Sequence, residues 1–321
     1  MTQQLFYTYE KAQFILENLY DEVINESEPP TAFAMDTVFN VDNFKRATFV
    51  SYNVAGPGLP QERQMLEDLA PGNYSEGEPL TVRPFYFGLQ MAIPTELIRI
   101  FAKFGDSDSE TASKIATYAD FMRQMKFNGY RRADLECINK LINGTSTASK
   151  YVGRDGEPLF STTHAYIGEG SGTQSNLTVN LSLTEANLNM VITALSRQKD
   201  ENGAPLDSSQ GWTLVTGSAL ETKGWTILNT EKQTSSANND MNRVYSMKSK
   251  IRHVVWQEFE SDFTGWFVLV NGRHGLKYKW MDKPYFDKQS DLNTNSLRYS
   301  MNEGGRAFHT TWRGTYASLP S

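Results

Sequence analysis

Residues 106–143 read DSDSETASKIATYADFMRQMKFNGYRRADLECINKLIN, and the rest of the chain is best understood from here. Asp106, Ser107 and Ser109 supply N-cap side chains and Glu110 places negative charge in the first turn. Ile115, Tyr118, Met122, Met125, Ala133, Ile138 and Leu141 keep an approximate helical stripe, and Asn143-Gly144 ends it. Read as one helix, the stretch is roughly 35 residues and about 50 Å long, against the ~10–14 residues usual in globular proteins. No heptad seam runs along it, so the spacing predicts the backbone of a domain rather than a coiled coil. Asn128-Gly129 is its weak point, where a kink is expected.

Upstream, Leu80–Ile93 holds Val82, Phe85, Phe87, Leu89 and Met91 close to a strand period, and Thr37–Asn43 also alternates. Between them lies a connection of about 35 residues, rich in breakers and charge: Gly56-Pro57-Gly58-Leu59-Pro60, Asp68, Pro71-Gly72 and Glu76-Gly77-Glu78-Pro79. Structureless loops beyond ~15 residues are uncommon in compact domains. The region therefore reads as a long projecting β-hairpin supported from outside its own fold. Further back, Ala12, Ile15, Leu16, Leu19 and Val23 predict an amphipathic helix over Thr8–Ile24, stopped by Pro29-Pro30. It either covers its own core or forms an arm on a neighbouring subunit.

Downstream, a Gly/Ser/Thr-rich passage (residues 144–175) leads to a second helix. Ser182-Leu183-Thr184-Glu185 reads as its capping box, and Leu188, Val191, Ile192 and Leu195 as its buried face. A third helix is expected over about Ser218–Asn229. Strand patterns follow at Val254–Phe259, Gly265–Val270, Leu276–Trp280 and Leu297–Met301. Helices and antiparallel-type strands are grouped rather than alternating, so the fold class is α+β, without internal repeats.

Composition narrows function by exclusion. The 321 residues carry 31 Lys+Arg against 37 Asp+Glu, a net charge of −6, which argues against a broad phosphate-gripping face. Hydrophobic residues at 39%, aromatics at 12%, are enough for real cores. The single cysteine, Cys137, can form no internal disulfide and no thiolate metal cage. With no signal-like apolar run and no ~20-residue apolar span, the expectation is a soluble intracellular protein without membrane association.

No active site emerges. His164, His253, His274 and His309 form no close pair at metal-ligand spacing, and no Gly-x-Ser-x-Gly elbow occurs. Gly168-Glu169-Gly170-Ser171-Gly172-Thr173 lacks the lysine of a phosphate loop. Ser161 and His164 can be drawn as nucleophile and base, but no orienting acid is recognisable at a telling spacing, so the residues read better as a structural loop. Asp155 and Glu157 can be drawn on a hard cation, though two carboxylates on a Gly/Pro loop more often cap a turn. Lys277-Tyr278-Lys279-Trp280 and Trp312-Arg313 could stack bases, but alternating strand residues explain them and the acidic balance favours that. The expectation is no catalytic residues, no cofactor and no metal.

Several stretches, in order, resemble the major capsid (head) proteins of tailed bacteriophages, in particular the major head subunit family of Mu-like prophages. They are Gly58-Leu59-Pro60; Tyr86-Phe87-Gly88-Leu89 with Ile93-Pro94-Thr95-Glu96-Leu97-Ile98; Asp155-Gly156-Glu157-Pro158-Leu159-Phe160-Ser161 with His164; Gly172-Thr173-Gln174-Ser175-Asn176; Leu181-Ser182; Arg197-Gln198-Lys199-Asp200 with Asn202-Gly203; Trp266-Phe267; and Trp312-Arg313-Gly314. The resemblance spans about residues 55–316 and is most specific between Asp155 and Gly203. It departs at Leu214-Val215-Thr216-Gly217-Ser218, where the family commonly carries prolines before its helix.

The resemblance implies the Hong Kong 97-type (Johnson) shell fold: an N-terminal arm at 1–33, an extended β-hairpin loop at 34–92, a peripheral domain with a long spine helix at 93–180 returning at 296–321, and an axial domain at 181–295. It implies a structural, non-enzymatic chain that self-assembles as hexamers and pentamers into an icosahedral head enclosing double-stranded DNA without sequence-specific binding. Assembly would take place in the bacterial host cytoplasm, with a portal and, where used, separate scaffolding or decoration proteins as partners. Intersubunit contacts are expected at Gly58, Leu59 and Pro60 of the hairpin and at Leu16 and Leu19 of the arm. An encapsulin-like compartment shell, a hydrolase using Ser161 and His164, and a tail-tube or sheath subunit remain as alternatives.

Overall fold

The computed structural model describes Asp21 and residues 33–52, 54–55, 75–76, 79–104, 109–165, 172–200, 203–232, 240–291 and 295–320. The predicted arm helix, with Leu16 and Leu19, and the hairpin tip, with Gly58, Leu59 and Pro60, lie outside these residues, apart from Asp21.

The described chain opens with one helical turn, α1 (Met35–Val38), then strand β1 (Asn40–Asn43). Thr37–Asn43 is thus only partly strand. Met35, Val38 and Phe39 are all buried, and their 3–4 spacing is met by a turn of helix rather than an alternating strand. Strands β2 (Phe49–Ser51) and β3 (Val54–Ala55) pair antiparallel with β5 (Leu80–Val82) and β4 (Ser75–Glu76), so a hairpin stem forms mostly inside the connection expected to hold no strands, while the expected strand Thr37–Asn43 does not pair with Leu80–Ile93. Phe49 ties the stem to the body by packing 5.2 Å from the Phe308 ring, and Arg154 Nη2 donates to Ser51 Oγ at 2.7 Å.

Strand β6 (Phe85–Pro94) leads into α2 (Thr95–Phe104) and then the long helix α3 (Ser109–Ile142), 34 residues and about 51 Å. It is helical without a break through Asn128-Gly129. Gly129 permits close approach: a Cβ there would stand 2.8 Å from Pro284 Cγ on the hairpin that crosses the helix. The helix closes with Gly144 N donating to Leu141 O at 3.1 Å, and a Cβ on Gly144 would enter the Phe160 ring.

Short strands β7 (His164–Ala165), β8 (Thr173–Gln174) and β9 (Leu177–Val179) precede α4 (Glu185–Ser196). The N-cap of α4 is Thr184, whose hydroxyl accepts from Asn187 N at 3.2 Å. The capping box expected from Ser182 is displaced by two residues, and Ser182 O instead accepts from Asn187 Nδ2 at 2.8 Å. Leu188, Val191, Ile192 and Leu195 are buried, as the stripe requires. There follow β10 (Trp212–Thr216), a 3₁₀ turn, α5 (Glu221–Asn229), the short α6 (Arg243–Ser246), β11 (Ile251–Val255), β12 (Trp266–Val270), β13 (Leu276–Asp291), β14 (Ser296–His309) and β15 (Thr315–Leu319). The strand expected over Val254–Phe259 ends at Val255. Beyond it Trp256, Phe259 and Phe263 are all buried, which a turn achieves and an alternating strand would not.

Among the described residues, two main sheets divide the molecule. One has the order β11-β10-β12-β15-β9, and its central strand β12 is buried on both faces. Alternation sends Phe267 and Leu269 into a core with the long helix, Trp256 and Trp280, and sends Trp266, Val268 and Val270 into a second core under α4 and α5. This sheet is therefore a wall between two hydrophobic cores. The other sheet, β1-β13-β14-β6, is built on the long β13–β14 hairpin. The two short strands expected at Leu276–Trp280 and Leu297–Met301 are segments of this one ribbon. Register shifts between Trp280 and Asp282 and between Asp282 and Tyr285 interrupt the alternation that would have announced its length. A third core, with Met122 and Met125 of α3, Ile98 of α2, Ile93 of β6 and Tyr299 of β14, closes the space between helix and ribbon.

Candidate assembly interface

The Ser161–His164 pair is the natural place to look for chemistry, and its geometry is structural. His164 is fully buried; its Nδ1 donates to Asp155 Oδ2 at 2.7 Å, and its Nε2 lies 3.2 Å from Asn176 Oδ1. Its ring stacks on Trp312 with centroids 4.1 Å apart. An orienting acid therefore does exist, nine residues upstream, where the loop's spacing gave no sign of it. Ser161 Oγ is turned to other partners, donating to Glu157 Oε2 at 3.0 Å and standing 3.1 Å from Thr163 Oγ1. Both carboxylates of the loop are thus used internally, and Asp155 Oδ1 also accepts from Glu157 N at 3.3 Å. Asn176 completes the knot: its Oδ1 accepts from Ser161 N at 2.9 Å and its Nδ2 donates to Leu159 O at 2.8 Å. Among the described residues no group of three or more His, Cys, Asp or Glu side chains is placed to hold a metal.

Lys277 and Lys279 face protein rather than an open groove. Lys279 Nζ donates to Asp42 Oδ2 at 2.7 Å across the β1–β13 pairing, and Tyr278 and Trp280 are buried in the first core. The base-stacking reading of this strand loses its rings to the interior.

The surface feature that stands out is β6. It forms an edge of its sheet, and its first six residues are exposed although they read PheTyrPheGlyLeuGln. Tyr86 is 65% exposed, Phe85 45% and Leu89 43%. Ordinary folding hides such a run; a ten-residue aromatic edge strand left open invites pairing with another chain. On the stem beside it Val50 and Tyr52 are exposed too, and on β13 so is Tyr285. Cations stiffen the inner side of the strand. The Arg132 guanidinium lies 3.6 Å over the Phe87 ring and that of Arg306 4.5 Å over Phe85. Arg132 pairs through Nε with Glu303 Oε1, through Nη1 with Glu136 Oε2 at 3.1 Å, and donates from Nη2 to Tyr278 Oη at 3.2 Å. Burial pushes the Glu303 carboxyl above its usual range, against the pull of Arg132. Such a buried pair adds little net stability but fixes how helix and ribbon register.

Between α3 and this strand opens a cleft of about 540 Å³, lined by Arg132, Glu136, Lys140, Lys150, Tyr151 and Arg306 along with Phe85 and Phe87. Lys140 Nζ donates to Lys150 O at 2.9 Å, and burial, with Arg306 beside it, pushes its ammonium down to about 7. Sequence reasoning found neither the cleft nor the open strand. Alternation in Leu80–Ile93 was visible, but not that both faces of its first half stay uncovered; the density of aromatics there was the available signal.

No family model matches the sequence, and no curated protein matches it. Solved structures do match the fold. The mature capsid of bacteriophage PhiM1 aligns with a TM-score of 0.56 at 10% identity, covering 92% of this chain and 89% of that one. A structure from Mycobacterium phage Adephagia aligns at 0.51 and 10% identity, covering 92% of each chain. This is the fold of phage capsid subunits. The match runs along almost the whole of both chains, so it takes in the α+β arrangement of long helix, ribbon and two-faced sheet together rather than a part of it. Among the described residues, no helix of this capsid fold is long and apolar enough to cross a membrane.

Proposed function

We propose that this chain is the structural shell subunit of a phage head: copies associate as hexamers and pentamers and close into an icosahedral capsid around double-stranded DNA. The alignment with a mature capsid subunit, nearly complete over both chains, carries the reading. The open aromatic edge of β6 and the hairpin stem beside it support it, because they are surfaces a monomer has no reason to keep. Heterologous contacts of this kind close into rings of five or six. The chain would act by association and not as an enzyme, consistent with a Ser161–His164 loop whose polar atoms are spent on one another. Hundreds of copies at −6 make an acidic wall that encloses DNA without gripping it. DNA entry then falls to a portal, with scaffolding or decoration proteins as further partners, and assembly to the host cytoplasm.

The Hong Kong 97-type division follows as part of the proposal: arm 1–33, extended loop 34–92, peripheral domain from 93 to 180 around the spine helix α3, and axial domain from 181. We place β13 with the peripheral part, since Trp280 packs 5.8 Å from Tyr130 and Pro284 against Gly129, so that this part resumes near residue 276 rather than 296. Light scattering on the purified chain tests the function. Megadalton particles or capsomer-sized rings support it; a stable 36.3 kDa monomer across working concentrations contradicts it.

A further inference from the structure

The cleft between α3 and β6 collects Arg132, Lys140, Lys150 and Arg306 around one acid, Glu136. Elsewhere in the same chain the opposite charge is concentrated. Glu17, Asp21, Glu22, Glu26 and Glu28 fall within twelve residues, and no lysine or arginine occurs from Ala12 to Phe44. We propose that the acidic segment Glu17–Glu28 of a second copy of this chain docks in the cleft, its carboxylates on Lys150 and Arg306. This rests on the shell reading above, and names one of its contacts.

The chemistry fits in kind and in scale. Carboxylates make charge-assisted hydrogen bonds with ammonium and guanidinium groups. The rings of Phe85, Phe87 and Tyr151 offer apolar floor to Leu19, Val23 and Ile24, which alternate with those acids in the sequence. Lys150 is exposed and Arg306 half-buried, so both are reachable, whereas Arg132 already serves Glu303 and Glu136 and acts as a wall. A neighbour is favoured over the chain's own segment by where that segment joins the body. Phe33 packs on Phe127 and Tyr130, and Met35 N donates to Asp134 Oδ1 at 3.0 Å. At 100° per residue these positions of α3 face away from Arg132, Glu136 and Asn139, which line the cleft. Nucleic acid is the less favoured occupant, because a duplex needs a broad basic track and this chain is acidic overall.

Zero-length carbodiimide coupling of the assembled full-length protein, prepared from mixed ¹⁴N and ¹⁵N copies, tests the proposal. The expected result is Lys150 joined to a carboxylate between Glu17 and Glu28, with heavy–light pairs present at the mixing ratio. The variant Arg306→Gln, which keeps the Lys150 amine available for coupling, should lower those products severalfold; products unchanged in it take Arg306 out of the contact and overturn the docking as proposed. Particles that form without these products, or products joining only like isotopes, overturn the docking and leave the shell reading standing. So does loss of the products on adding duplex DNA together with ultraviolet coupling of Lys150 to that DNA, which assigns the cleft to nucleic acid. A protein that stays monomeric overturns both.

Discussion

His164 shows what a single residue contributes here. Its ring is stacked on Trp312 and hydrogen-bonded to Asp155 and Asn176 in a site closed to water. His164→Ala removes the stack, leaves a cavity and strands the buried Asp155 carboxylate, at a cost of roughly 3 kcal/mol. Denaturant unfolding should show that loss, and esterase, protease and nuclease assays should show no activity in the parent for the variant to lose. Asp134 makes a prediction of a different kind. It accepts from Met35 N at 3.0 Å and from Trp256 Nε1 at 2.6 Å, yet burial pushes its carboxyl up from 3.8 to about 6. Between those values the folded chain keeps a proton that the unfolded chain releases. This group's contribution to stability is therefore full below about pH 4 and is lost as pH rises through about 6, by at most ~3 kcal/mol. Asp134→Asn should remove that slope from the stability profile; a slope unchanged in the variant would assign it to other groups.

At the level of elements, the long helix shows how this fold is held by contact rather than by propensity. Replacing a helical glycine with leucine ordinarily stabilises by about 1 kcal/mol. Gly129→Leu should instead destabilise by more than 2 kcal/mol, because Pro284 stands where the side chain would go. A rise in unfolding midpoint would mean that hairpin and helix can part without cost. The hairpin stem carries the second expectation: replacing residues 56–74, between the β3 and β4 rungs, with a short Gly/Ser link should leave the body folded but weaken closure of the proposed shell, as limited proteolysis with particle counting would reveal. An unfolded body, or shells of unchanged stability, would remove the hairpin from the assembly contacts. These elements differ in how plainly the sequence declares them. The long helix and α4 follow from period and punctuation, since each buries a single stripe; the hairpin stem does not, because its short rungs lie mostly inside the connection that carries no strand period. The β13–β14 ribbon follows only in pieces, because its bulges break the period of two; β12 forms where a strand is expected, over Trp266–Val270, whereas β10, buried on both faces, never alternates and gives no signal.

For the whole molecule, the candidate interface was legible only as an imbalance. The residues singled out for contact in the arm and hairpin tip were chosen for lacking a core of their own. The described body adds what composition could not, an open edge strand beside a basic cleft, because pairing and exposure depend on which strand ends at a sheet edge. The proposed shell would cover all of these surfaces with other copies. Electron microscopy of the purified full-length chain tests that most directly. The account predicts closed, icosahedral particles whose walls resolve into five- and six-membered rings of this subunit. Open rods, or a field of separate monomers at every concentration, would contradict it.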